Sequence, residues 1–165
     1  AQAIASGSPI AERRRLSPQH LSATLAREMP DTVKVNIHII NATNLPKMDL
    51  LGKTDGYVKV KMGDMEVART QVISKNLNPK WDFKKQIEWD GKSDLLFEVW
   101  DSDMLTPDDW CGHFNLRAGS VKSSFAGTVP LDMKKKVQKD EKRTTLTLKV
   151  CPEGTEGCCG GCSVM

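Results

Sequence analysis

Five aspartates of this chain fall into two clusters. Asp49 and Asp55 lie in L-P-K-M-D-L-L-G-K-T-D-G-Y, and Asp101, Asp103 and Asp109 lie in F-E-V-W-D-S-D-M-L-T-P-D-D-W-C-G. Each cluster sits where one apolar, strand-like run stops and another begins. Carboxylates gathered at strand ends repel one another: a pair about 4 Å apart costs roughly 4 kcal/mol at an effective dielectric near 20. A fold retains such a group when something positive neutralises it. Calcium, which takes six to eight oxygen ligands, is the natural candidate.

The second chemical signal is the end of the chain, Cys158-Cys159-Gly160-Gly161-Cys162-Ser163-Val164-Met165. This reads as a C-a-a-X prenylation signal on Cys162, with Cys158 and Cys159 upstream as palmitoylation candidates; Met165 in the last place favours farnesyl. One lipid chain gives only marginal, reversible anchoring, so a second signal is required beside it.

Elements must position these groups. At 165 residues, with 39% hydrophobic but only 5% aromatic content, the chain fits one domain with appendages. Its apolar runs are too short to span a bilayer. A formal charge of +3 argues against bulk nucleic-acid binding. The basic residues are uneven, however: Arg13 to Arg15 form one block, and Lys134, Lys135, Lys136, Lys139, Lys142 and Arg143 crowd a second. The cysteines (Cys111, Cys151, Cys158, Cys159, Cys162) are odd in number and bunched at the end. That is neither a disulfide framework nor a zinc pattern, and a prenylated chain is cytosolic, where thiols stay free. There is no charged-then-apolar leader. The absent initiator Met points to a processed or truncated chain and leaves room for upstream domains.

Residues 1–31 read as a leader, with Leu16, Leu21 and Leu25 able to line a short helix. From Thr32 the period becomes two: Val33, Val35, Ile37 and Ile39 alternate with Lys34, Asn36 and His38, a half-buried strand with His38 on its surface face. Further strands are predicted at Gly56–Met62, Glu66–Ile73, Trp81–Glu88, Asp94–Trp100, Cys111–Arg117, Gly127–Met133 and Thr144–Val150, with Leu96, Val99 and Trp100 in the core. Eight short strands separated by turn signals imply an all-β antiparallel sandwich over residues 32–150. Residues 151–165 read as a flexible, Cys-rich tail.

This arrangement closely resembles a C2 domain, an eight-stranded β-sandwich that binds calcium and phospholipid at one end. Ala42-x-x-Leu45-Pro46 stands for the family's A-x-x-L-P, and Thr54-Asp55-Gly56-Tyr57-Val58-Lys59-Val60 for S-D-P-Y-V-K-V. Thr70 with Asn78-Pro79-Lys80-Trp81 answers to a T followed by N-P-x-W, and Leu96-Phe97-Glu98-Val99-Trp100-Asp101 to L-x-F-x-V-x-D. The visible departure is Gly56, where the family usually has Pro. The order of one strand before the first acid and one after the last loop fits the second of the family's two permuted topologies.

The resemblance implies calcium ligands at Asp49, Asp55, Asp101, Asp103 and Asp109. Asp108 is an extra carboxylate beside Asp109; either could face the metal, and the spacing to Trp110-Cys111-Gly112 favours Asp109. It further implies that Leu50, Leu51, Met104 and Leu105, apolar residues beside the ligands, enter an anionic phospholipid surface, and that Lys59 and Lys61 meet its headgroups. The implied protein is a calcium-dependent membrane-targeting module on the cytosolic face, assisted by lipidation. No nucleophile motif is visible, so it is not read as an enzyme. The alternatives are the C-terminal targeting part of a larger lipid enzyme or perforin-like pore-former, or a calcium-independent module for a protein partner.

Overall fold

The computed structural model describes residues 32–48, 53–134 and 143–155. They form an antiparallel sandwich of two four-stranded sheets, as the alternation predicts. The strands are β1 (Val33–Thr43), β2 (Gly56–Met62), β3 (Met65–Arg69), β4 (Lys80–Trp89), β5 (Leu95–Asp101), β6 (Asp109–Leu116), β7 (Phe125–Pro130) and β8 (Thr145–Pro152). One sheet runs β4-β1-β8-β7 and the other β3-β2-β5-β6. The first and last strands therefore lie side by side at the centre of one sheet, the arrangement of the second permuted topology.

Period-two alternation explains the layers. Val35, Ile37 and Ile39 of β1 and Leu146, Leu148 and Val150 of β8 face Val58 and Val60 of β2 and Leu95, Phe97 and Val99 of β5, all buried in one contiguous core. Trp81 and Trp89 close its flanks, and each buried indole N–H finds a carbonyl: Gly56 at 3.1 Å and Ser93 at 2.7 Å. Buried tryptophans need such a partner.

Three expectations are corrected and one element is added. Leu96 and Trp100 project from the outer face of β5, half-buried, while Leu95, Phe97, Val99 and Asp101 point inward. An unbroken apolar run carries no phase of its own; the charged Glu98 sets it. Strand β3 stops at Arg69 rather than Ile73, although Thr70 still pairs with Val58 through its amide and its hydroxyl, both at 3.0 Å. A short helix, α1 (Ala118–Lys122), joins β6 to β7; five residues with Val121 alone buried leave no periodic signature. Strand β8 runs past Val150, burying Cys151, and the Glu153 amide donates to the Lys34 carbonyl at 2.8 Å. The predicted leader and the cysteines Cys158, Cys159 and Cys162 lie outside the described residues.

The pairing brings the acidic connections to one end. Gly56 starts β2 opposite Asp101, the last residue of β5, and Asp101 lies opposite Asp109, the first of β6. Ile73 bridges to Gly56, which carries the 70–79 connection to the same end. Gly56 itself is tightly fitted: a Cβ there would come within 2.9 Å of the Leu45 side chain, and its amide donates to the Ile73 carbonyl at 3.1 Å. The family's usual proline could not make that bond. Gly56→Pro is therefore expected to destabilise the domain by about 1–3 kcal/mol through the lost donor and the crowding. Urea unfolding reads this directly, and equal midpoints for the two proteins would refute the role assigned to the Gly56 amide.

Candidate metal centre

Four of the five expected aspartates lie among the described residues, and hydrogen bonds stitch their loops together. The Thr54 hydroxyl, fully buried, donates to the Pro46 carbonyl, and the Asn76 amide donates to the Thr54 carbonyl at 3.0 Å. These bonds fix the chain entering Asp55. The Asp55 amide then donates to Asp101 Oδ1 at 2.6 Å, and the Lys75 amide donates to Asp55 Oδ1 at 2.6 Å. The Ser102 amide completes the link by donating to the Asp55 carbonyl at 2.9 Å. Lys75 adopts the left-handed region, φ 55°, which turns its amide toward Asp55. Asp49, Leu50 and Leu51 lie outside the described residues.

Asp101 is 1% exposed, whereas Asp103 is half-buried and Asp109 is exposed. Directly opposed residues of an antiparallel pair share a face, so Asp109 lies on the same side as Asp101. The field of this group is felt by a neighbour. The Cys111 thiol is pushed up, first by burial and then by the negative charges of Asp101, Asp109 and Asp103. Asp108 behaves differently: Tyr57 donates its hydroxyl to Asp108 Oδ2 at 2.5 Å, and this bond holds the Asp108 carboxyl below the usual range. Burial, then the same bond, pushes the Tyr57 phenol up.

Among the described residues, no three His, Cys, Asp or Glu side chains stand close enough to hold an ion. One of the five expected aspartates, Asp49, is not among those described. The donor set nonetheless fits calcium. It consists of carboxylate oxygens, carried on two connections at one end of a rigid sandwich, and hard oxygen donors of flexible geometry suit calcium rather than thiophilic metals.

Met104 and Leu105 are 99% and 98% exposed, so the loop between β5 and β6 holds its apolar tip clear of the core. Sequence reasoning missed the connection between β3 and β4. That segment supplies the Lys75 amide and another exposed apolar side chain, Val72 at 46%; its only sequence signal is the turn at Asn76-Leu77-Asn78-Pro79. Lys59 and Lys61 share the outer face of β2, but both are engaged. Lys61 Nζ lies 2.9 Å from Glu98 Oε2, and Lys59 Nζ sits 4.1 Å from the Trp100 ring centroid. The second basic block also starts and ends at the acidic end: Pro130 and Thr43 both pair with Thr145, and the Leu131 amide donates to the Thr144 carbonyl at 3.0 Å. Cys111 and Cys151 are buried. His38 lies on the outer face of β1 with Nε2 2.5 Å from Asp82 Oδ1. No helix among the described residues is long and apolar enough to cross a membrane.

The sequence pattern of the C2 domain matches residues 33–148. A C2 and GRAM domain-containing protein of Arabidopsis thaliana is 37% identical over 126 residues, covering 72% of this chain and 12% of that protein. A calcium-dependent lipid-binding protein of the same plant is 29% identical over 130 residues, covering 74% of this chain and 25% of that protein. The chain thus spans a small part of the curated relatives it matches. Among solved structures, a C2 domain of a plant extended synaptotagmin superposes with a TM-score of 0.61 at 26% identity, covering 73% of this chain and 93% of that domain.

The charge crowding around Cys111 generates an expectation for the metal-free protein. Asp101→Asn combined with Asp103→Asn should leave its stability unchanged, or raise it by roughly 1–2 kcal/mol as repulsion is relieved. The carboxamide oxygen introduced at position 101 can still accept the Asp55 amide. Thermal unfolding in chelator reads the difference, and a clear loss of stability would show that these carboxylates serve the fold.

Proposed function

Because the chain belongs to the C2 domain family, we propose that it is a calcium-dependent phospholipid-binding module, peripheral on the cytosolic face of a membrane. One observation carries the reading: Asp55 is tied to Asp101 through its amide, and Asp109 lies opposite Asp101, at the end of the sandwich from which Met104 and Leu105 project fully exposed. The calcium-dependent lipid-binding relative supports it. Asp49 is the fifth ligand of the set. No catalytic step belongs to this reading.

In the metal-free state the carboxylates make a negative tip that anionic lipid repels. Calcium, when bound, supplies positive charge and open coordination positions for phosphate oxygens. Asp101 and Asp55 act from fixed positions, since each is held by backbone amides or offers its own. Met104 and Leu105, joined by Leu50 and Leu51 of the first loop, then leave water for the acyl boundary. Lys59 and Lys61 supply a second, weaker contact with headgroups. A phosphate reaching Lys61 must compete with Glu98, so this face tunes binding rather than drives it. The small share of each relative that the chain covers favours a second reading, in which the module targets a larger membrane-acting protein.

Liposome co-sedimentation across a calcium titration tests the reading, with anionic vesicles and the full chain. Met104→Ser with Leu105→Ser should weaken vesicle binding by about 1.5–3 kcal/mol per side chain, while calcium uptake in solution hardly changes. Sedimentation that does not rise with calcium, or calcium uptake lost together with lipid binding in the double variant, would sink the insertion mechanism.

The tail adds a signal that does not depend on calcium. Cys162 carries the prenyl group and Cys158 and Cys159 the acyl chains. A single lipid of this size binds with a constant of only about 10⁴ per molar, and the loops convert such visits into residence by holding the same molecule at the same surface. Cys162→Ser is therefore expected to be cytosolic at rest yet still to reach membranes when calcium rises, whereas the wild type keeps a resting membrane pool. Imaging both through a calcium pulse decides the matter; identical, fully cytosolic resting distributions would refute lipidation.

A further inference from the structure

The sequence leaves open which of two adjacent carboxylates faces the metal, and the geometry assigns them different tasks. We propose that Asp108 is a positioning residue of the calcium centre and not a ligand. Its carboxylate ties the loop between β5 and β6 to strand β2 through Tyr57, and so sets where Asp103 and Asp109 stand. The proposal rests on the calcium reading above.

Both carboxylate oxygens of Asp108 accept hydrogen bonds inside the protein. Oδ2 accepts the Tyr57 hydroxyl at 2.5 Å, and Oδ1 accepts the Asp103 amide at 3.2 Å. One side chain therefore joins the two arms of the loop to each other and to the neighbouring strand. Side chains of successive residues in extended chain point to opposite sides. Asp109, opposed to Asp101 across the β5–β6 pair, shares the inward side of that residue, which sends Asp108 toward the outer face where Tyr57 lies. Tyr57 is a stiff partner. It is only 2% exposed, pairs with Trp100 across β2 and β5, and its ring lies 5.3 Å from the Arg69 guanidinium and 5.4 Å from Lys59 Nζ. Both cations also favour the charged form of Asp108. Pro107, with its fixed φ, limits the freedom of the arm that delivers Asp108.

Held this way, the loop restrains the backbone that carries Asp103 and Asp109 while its apolar tip stays free. Without the tie, calcium binding must first order the loop, and affinity falls while the number of ions stays the same.

Isothermal titration with calcium on the full chain tests this. Asp108→Ala should keep the wild-type stoichiometry and bind about tenfold more weakly, the scale of one charge-assisted hydrogen bond. Tyr57→Phe, which changes no charge, should also weaken binding, and the double variant should be no weaker than Asp108→Ala alone. Asp109→Asn, by contrast, should lose an ion. The ring-carbon resonance of Tyr57, the only tyrosine of the chain, should move in metal-free Asp108→Ala. Loss of an ion in Asp108→Ala, or wild-type affinity in Tyr57→Phe, would overturn the assignment. A wild type that takes up no calcium would overturn the functional reading beneath it, and an unmoved Tyr57 resonance would overturn the tie itself.

Discussion

Strand β5 is apolar on its inward face until its last residue, where the inward position is a carboxylate. Asp101 is almost wholly shielded from water, and an ion in that position is costly unless donors or positive charge compensate it. The Asp55 amide is one such donor, and its delivery constrains the whole end of the sandwich. Strand β2 must begin level with the end of β5, which the Gly56–Asp101 pairing provides. The chain before Asp55 must be pinned, which the buried Thr54 hydroxyl and the Asn76 amide accomplish. The 70–79 connection must pack against Gly56 closely enough to exchange two backbone hydrogen bonds with Ile73. Satisfying one buried charge thus builds a rigid seat beneath a set of exposed ones.

Much of this was legible in the sequence because the strands that matter alternate cleanly. In β1, Lys34, Asn36 and His38 interrupt the apolar series at every second position, so both the strand and its buried face could be read. The aspartate spacing placed both clusters at strand ends, and the C2 resemblance implied that the two loops share one end. What could not be read shares a physical cause. The run Leu95 to Trp100 is apolar except at Glu98, so assigning Leu96 and Trp100 to the core ignored the one residue that fixes the phase. Helix α1 is too short for a periodic pattern. The Lys75 amide on Asp55 depends on a left-handed backbone at a lysine, a conformation that residue identity does not announce. Asp108 and Asp109 are chemically identical; the spacing to Trp110-Cys111-Gly112 favours Asp109 as the ligand, and their strand pairing and partners give each a distinct task.

The outer face of β2 and β5 shows why charge alone is a poor guide to binding. Lys59 and Lys61 stand where the resemblance puts them, yet Glu98 and the Trp100 ring already engage them, and Arg69 is closed onto Glu66. A headgroup that binds there exchanges one set of partners for another. Its net gain is only the difference between the contacts it makes and those it displaces. On the proposed reading, free energy for membrane residence therefore comes mainly from apolar insertion and from phosphate contacts made through the metal, both at the tip.

That division explains an otherwise hazardous feature. Two large apolar side chains held fully in water are an invitation to self-association. Met104 and Leu105 sit between Asp103 and Asp108–Asp109, so the surface that exposes them is also the surface that carries negative charge. Two such tips repel each other, and each is repelled by anionic lipid. The same carboxylates therefore serve both states of the proposed switch. Uncompensated, they keep an adhesive tip apart from its own copies and from membranes. Neutralised, they release that constraint at the one place where the apolar residues are already extended. The fold then needs no large rearrangement to change state, because only the balance of charge at its tip has to change.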